Sequence, residues 1–505
     1  MSEQEMMILG AMIAYLVMIV IVGLAFSKKN KTSEEFYLGG RGMGPWITAM
    51  SAEASDMSGW LLMGLPGAAY LMGLSSEGWT AIGLALGTYL NWRFTAVPLR
   101  IYTHIADNSI TIPDYLSNRF HDRKKILMNL AALFFFIFFI AYAAAGFNAC
   151  GKVFESLFGF NYQASMMVSA FVIVIYTVVG GFLAESTVDF IQGILMFFAL
   201  IFIVCVALVK ADGFSGVTAF TDTVPGFFSL FDAGGTFAGG VIKTLSGLAW
   251  GLGYFGMPHV LLRFMAIRDA SELKKSRRIG TSWVIISLGM ALCIGVVGRA
   301  LYPDLLHTSS EAETIFVVLC EDLMQGGLLP IIGGIMLSGI LAAQISSSDS
   351  QLLVASSAIS QNFYKGLLKP NASEKQVLWV SRLTIIIIAV VAAVLALNPE
   401  SSVFDVVSLA WAGLGATFGP LILFSLYWKR TNLWGAVAGM ISGGGMVLIW
   451  KYLLKPLGGF FSLYELLPAF LISGLAIVLV SLATPEPAAS VYAEFEEYKA
   501  QLAKH

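Results

Sequence analysis

The run from Gly44 to Ala69, GPWITAMSAEASDMSGWLLMGLPGAA, is long enough to cross a bilayer, for which about twenty residues suffice. Its middle, Ser51-Ala52-Glu53-Ala54-Ser55-Asp56-Met57-Ser58-Gly59, is wrong for a lipid-facing helix. An ionised acid at mid-membrane depth is costly unless it faces protein or water, and here there are two. The small residues let a helix open so that backbone carbonyls turn toward a cavity. Such a break is tolerated where protein, water, an ion or a substrate satisfies the freed groups. The competing reading is a polar packing seam between helices. Two acids and the Asp-Met-Ser-Gly-Trp run exceed what packing alone needs.

The rest of the chain puts this stretch in a membrane. Of 505 residues 57% are hydrophobic and 12% charged, about half the charge of a soluble domain. A net charge of −2 with no basic region excludes a nucleic-acid partner. Cys150, Cys205, Cys293 and Cys320 stand singly and read as small core residues, not as disulfides or a metal site. The first apolar run follows an acidic start, lacks a basic leader and has full length, so it reads as a membrane helix and not a signal peptide.

About thirteen spans of roughly twenty residues are expected. They centre near Leu16, Ser55, Leu86, Ile137, Val172, Phe197, Tyr254, Leu288, Gly339, Ile387, Gly413, Met440 and Leu471. The least distinct division falls between Tyr162 and Lys210, where only Glu185-Ser186-Thr187 separates two apolar runs. Basic residues cluster in every second loop: Lys28, Lys29, Lys31 and Arg41; Arg119, Arg123, Lys124 and Lys125; Arg268, Lys274, Lys275, Arg277 and Arg278; Lys365, Lys369 and Lys375; Lys429 and Arg430. The stretches from Ala211 to Gly240 and from Tyr302 to Ile332 have none. The positive-inside rule then expects the N-terminus outside, the C-terminus cytoplasmic and an odd number of spans. The acidic outer loop Tyr302–Gln325 is expected to form a short amphipathic surface helix around Ile315–Leu319, and residues 483–505 a cytoplasmic tail.

The seventh span, LSGLAWGLGYFGMPHVLLRF, is interrupted by four glycines and Pro258, which removes a helix hydrogen bond. It lies five spans after the first broken one, as in transporters built from two inverted repeats whose broken helices meet at the midplane. The expected division is 1–44, a peripheral helix and loop; 45–211 and 212–428, the two five-span repeats; 429–482, two peripheral spans; and 483–505, the tail. Gly251-x-Gly253-x-x-Gly256 matches a dinucleotide fingerprint by accident, since no strand precedes it.

In the ninth span Ala343, Ser346 and Ser347 share one helix face. Hydroxyls and carbonyls are hard oxygen ligands, suited to a hard monovalent cation such as Na+, although serines around Asp349 also serve as interhelical glue. Asp189 in the sixth span suggests either a second cation site with those serines or a helix-to-helix tie. His259 reads as a structural donor. Trp60, Trp250 and Tyr254 stand at the two breaks, where aromatics can hold an apolar ring or an ammonium. No nucleophile–base spacing or P-loop is present, so neither an enzyme nor an ATP-driven pump is expected.

Ser55-Asp56-Met57-Ser58-Gly59-Trp60 with LLMGLPGA, Gly180-Gly181-Phe182-Leu183-Ala184, Trp250-GLGYFG with Pro258-His259, and Ser350-Gln351-Leu352-Leu353 resemble the sodium:solute symporter family over essentially the whole chain, and its proline carriers in particular. The resemblance implies an all-α fold of thirteen helices with a leucine-transporter-like five-plus-five core, importing L-proline with Na+ by alternating access at the cell membrane. By position it implies Na+ ligands at the carbonyls of Ala54, Met57 and Ala343 and the hydroxyls of Ser346 and Ser347, with Asp56 needed for coupling. It implies a proline pocket from Ser58, Trp60, Tyr142, Trp250, Tyr254 and Pro258. Glu53 and Gln344 depart from the family pattern beside the proposed ligands and are candidate modulators of cation choice, including proton coupling. Neither an organic cofactor nor an obligatory protein partner is implied. Another small carboxylate or a sugar stays open as cargo; a channel or a solute receptor fits less well.

Overall fold

The computed structural model describes residues 2–27, 32–221, 226–231 and 236–505. Lys28, Lys29 and Lys31, used above for orientation, lie outside them. The chain is helical throughout, and its only sheet-like contact among the described residues is a bridge between Met43 and Ile267. Among the described residues nine helices are long and apolar enough to cross a membrane.

After α1 (Glu3–Ser27) and the short α2 (Ser33–Leu38), the broken second span forms α3 (Pro45–Gly59) and α4 (Leu65–Met72). Next come α5 (Leu74–Phe94), α6 (Ala96–Ile105), α7 (Ile112–Arg119) and α8 (Ile126–Phe158). The 49-residue α9 (Tyr162–Lys210) breaks at Gly181, whose φ of 64° an L side chain rarely adopts. Tyr162 Oη donates to Ala396 O at 2.7 Å, and Lys210 pairs with Asp322, both at one end of the bundle. Gly181 lies at the other end, where Phe182 packs near Gly39. So α9 goes across and returns, and the turn falls at Gly181, not at the Glu185–Thr187 patch, because the glycine supplies the backbone geometry and Glu185 is buried instead.

The chain continues through α10 (Gly213–Thr221), α11 (Phe237–Ala249) and α12 (Pro258–Ala266), the last two being the halves of the seventh span. Then follow α13 (Leu273–Leu301), α14 (Ser309–Ala312), α15 (Ile315–Leu323) and α16 (Leu329–Ser357). The last five are α17 (Glu374–Leu395), α18 (Val403–Tyr427), α19 (Leu433–Ile449), α20 (Leu466–Ala483) and α21 (Ala489–Leu502).

Two expectations need correction. α15 is a helix, but it does not lie on the surface: Ile315, Phe316, Val317, Leu319 and Cys320 are buried. Just before it, Glu313 forms an ion pair with Lys152 of α8 at 2.8 Å, with side chains 2% and 5% exposed, and accepts from the backbone N–H of Phe404. This pins the loop into the bundle end. Cys205 is exposed and not a core residue.

The tail also folds. Val491, Phe495 and Tyr498 of α21 are buried; Tyr498 stacks on Tyr102 of α6 at 4.3 Å, and the buried Arg119 guanidinium lies 5.2 Å from the Phe495 ring.

Candidate functional site

The two breaks meet at the middle of the bundle. α3 ends where Ser58 takes φ 48° and ψ −171°, and a wide turn from Trp60 to Gly64 leads into α4. Opposite it, the tight turn Trp250–Gly256 joins α11 to α12, with Met257 extended before Pro258, as a residue preceding proline prefers. Gly87 of α5 lies so close to this turn that a Cβ there would stand 2.3 Å from Gly251 Cα.

Between the breaks lies Asp56. Its Oδ2 accepts from Tyr254 Oη at 2.7 Å, and its backbone carbonyl accepts from Tyr142 Oη at 3.1 Å. Its Oδ1 has no hydrogen-bond partner among the described residues. His259 Nε2 stands 3.8 Å from that oxygen, too far for a hydrogen bond, and neither ring nitrogen has a hydrogen-bond partner among the described residues, so the structural donation expected from the sequence is not made there. Trp60 and Trp250 lie 5.3 Å apart and share Phe404, at 5.9 and 5.4 Å. Trp411 donates to the Trp250 carbonyl at 2.8 Å and meets Tyr254 edge-on at 5.1 Å. These side chains close around a cavity of about 10 Å³ lined by Asp56, Trp60, Tyr142, Trp250 and Tyr254 together with Val407 and Trp411. Ser58 Oγ accepts from Trp60 N at 3.2 Å, and Pro258 opens α12 at the break.

On the other side of α3, Ser346 Oγ of α16 donates to Ala54 O at 2.8 Å and to Ala343 O at 3.1 Å. Three expected cation ligands therefore converge. Ser347 Oγ is buried there without a partner among the described residues, while the Met57 carbonyl accepts from Trp60 N within the turn. Gln344 packs against Gly59, and Glu53 Oε1 accepts from Trp92 Nε1 at 2.8 Å.

Asp189 belongs to a cluster that sequence reading missed. Arg263 of α12, fully buried, donates to Asp189 Oδ2 at 3.1 Å, to Ser350 Oγ at 2.8 Å and to Glu185. It donates as well to Ser51 Oγ at 3.0 Å and His259 O at 3.0 Å, while Ser51 donates to Asp189 at 2.7 Å. Asp349 Oδ1 accepts from Ser350 N at 2.7 Å. The one signal in the sequence was an arginine inside an apolar span, which demands a buried acid. Phe404 and Trp411 carried no signal, being aromatics among many.

Residues 36–443 match the sodium:solute symporter family. The osmoregulated proline transporter OpuE of Bacillus subtilis is 43% identical over 484 residues, covering 95% of this chain and 96% of that protein. Sodium/proline symporter 2 of Staphylococcus saprophyticus is 41% identical over 494 residues, covering 96% and 95%. Among solved structures, a Na+-coupled sialic acid symporter in its substrate-bound outward-open state superposes with a TM-score of 0.77 at 21% identity, covering 95% of this chain and 99% of that one. MhsT in complex with L-phenylalanine gives 0.50 at 14%, covering 87% and 98%. With four-fifths of its length matched and the same fold, the chain belongs to the sodium:solute symporter family.

Proposed function

We propose that this protein imports L-proline on the inward flow of Na+ by alternating access. Whole-length likeness to proline transporters supports the cargo. The observation that carries the mechanism is the hydrogen bond from Ser346 of α16 to the Ala54 carbonyl of the broken α3, which with the Ala343 carbonyl gathers three oxygens at one point between the two helices. Na+ bridges the helices there, taking the Ala54, Met57 and Ala343 carbonyls and the Ser346 and Ser347 hydroxyls. This orders the break next to Asp56, so that each ligand raises the affinity for the other. Proline packs its ring among Trp60, Tyr142, Trp250 and Tyr254, between Ser58 and Pro258, and its carboxylate meets the backbone N–H groups freed at the breaks. Asp189 contributes to a second cation position, and Glu53 and Gln344 tune cation choice.

Residues 45–211 and 212–428 act as the two inverted repeats, with 1–44, 429–482 and 483–505 around them. Counting α9 as two crossings and each broken pair as one gives thirteen, with the N-terminus outside and the C-terminus in the cytoplasm, in the cell membrane. Labelled L-proline uptake into proteoliposomes tests this reading. Accumulation under an inward Na+ gradient that collapses with an ionophore is expected. Accumulation driven by protons alone would move the coupling to Glu53, and competition by a sugar or another carboxylate would change the cargo.

A further inference from the structure

We infer that a groove between α3, α9 and α13 is a binding site for one anionic phospholipid of the cytoplasmic leaflet; its place in that leaflet rests on the orientation proposed above. The groove holds about 480 Å³ and opens on the side of the bundle that meets lipid. Its floor is Met50 and Trp283, both buried, and its walls include Phe190 and Phe198. Trp46 and Arg278 stand at its rim, at the end where α3 and α13 both begin and where Ser276 Oγ donates to Pro45 O at 3.0 Å.

Composition and placement define the occupant. The apolar walls run along helices into the bilayer and suit an acyl chain, whose burial is favourable in proportion to its length. Trp46 is 54% exposed at the level where tryptophan anchors to headgroups. Arg278 is exposed, has no carboxylate partner among the described residues, and shares the start of α13 with Lys274 and Lys275, also exposed. Arg277 is directed elsewhere, over the Tyr89 ring at 5.5 Å. A guanidinium and two ammonium groups above an apolar slot complement a phosphate on an acyl chain, and basic pockets between helices on the cytoplasmic side take anionic headgroups.

The floor of this groove backs onto the transport site. Trp283 Nε1 donates to Gly193 O at 3.1 Å, and Gly193 packs against Met50 and Ala54. A lipid seated there braces the α3–α9 contact beside a proposed Na+ ligand.

The test uses the purified full-length protein in phosphatidylethanolamine vesicles doped with phosphatidylglycerol bearing a diazirine in one acyl chain, followed by mass spectrometry of the labelled peptides. Labelling concentrated on Phe190–Phe198 and on α13 is expected. Arg278→Gln should reduce it about fivefold, as one basic residue near the surface is worth. Ser282→Trp, which fills the groove from its lining, should abolish it, and Lys375→Gln on α17 should leave it unchanged. Equal labelling by a matched phosphatidylcholine probe, an even spread over the lipid-facing helices, or indifference to Arg278→Gln overturns the proposal. Groove labelling in a protein that takes up no proline would sink the transport reading and leave the lipid site standing.

Discussion

The same two helices, α3 and α12, carry two buried polar clusters of opposite character. Around Arg263 every guanidinium nitrogen has a partner: Glu185, Asp189, Ser350, Ser51 and the His259 carbonyl. Around Asp56, Oδ1, both His259 ring nitrogens and the Trp60 indole N–H lack hydrogen-bond partners among the described residues. Buried polar groups are normally satisfied, so orphans gathered at a helix break support the ligand site proposed above. On the proposed reading the arginine of the first cluster is a joint and the second cluster a receptacle, while Asp189 Oδ1, unpartnered among the described residues, leaves room at the joint's edge for the second cation position proposed above. A charge that is fully paired inside a protein holds elements in place; one left half-paired is available to bind.

Substitutions can break this contrast. Arg263→Met leaves Glu185 and Asp189 buried without their cation, a change that costs about 3–5 kcal/mol. The yield of folded, monodisperse protein in detergent should fall sharply. Asp56→Asn should leave that yield unchanged while Na+-driven proline uptake drops about a hundredfold, close to 2.7 kcal/mol of lost coupling. If Asp56→Asn unfolds the protein and Arg263→Met only slows uptake, the two roles are reversed. Ser346→Ala removes one proposed cation ligand, and the half-saturating Na+ concentration for uptake should rise about tenfold, as for a lost bond to a charged group. Tyr254→Phe deletes the hydroxyl on Asp56 Oδ2, and proline binding by calorimetry should weaken about fivefold.

The smallest effect lies where the end of α9 meets α15. Hydrogen bonding from Lys210 holds the Asp322 carboxyl below its usual range. Its stabilising contribution is present above the ordinary aspartate pKa, about 3.9, and is lost as pH falls through the depressed value. Both groups are more than a third exposed, so screening keeps the contribution small. Acidification should loosen the α9–α15 contact slightly, measurable by amide exchange, while Lys210→Gln removes that pH dependence.

The receptacle was legible in the sequence because its parts lie in short, odd stretches: acids and a glycine in one apolar run, glycines and a proline in another. The joint was not, because its members lie far apart: Glu185 and Arg263 are 78 residues from each other, and no periodicity links them. Glu185 passed for a patch between spans and Arg263 for the end of one. Lys152 and Glu313, 161 residues apart, escaped notice for the same reason. The broken spans were readable from glycine and proline chemistry alone. The reversal inside α9 was not, because two glycines stand side by side there and only Gly181 takes a positive φ, a distinction that composition does not carry.

The docked α21 also bears on how the chain is made. Its Glu494 meets His121 at 2.8 Å, a partner synthesised 373 residues earlier. Until that helix emerges from the ribosome, Tyr102 and the Arg119 guanidinium lack the aromatic cover of Phe495 and Tyr498. From the synthesis of Arg119 until that of Tyr498, roughly four hundred residues later, the nascent chain therefore carries an open aromatic seam between α6 and α7.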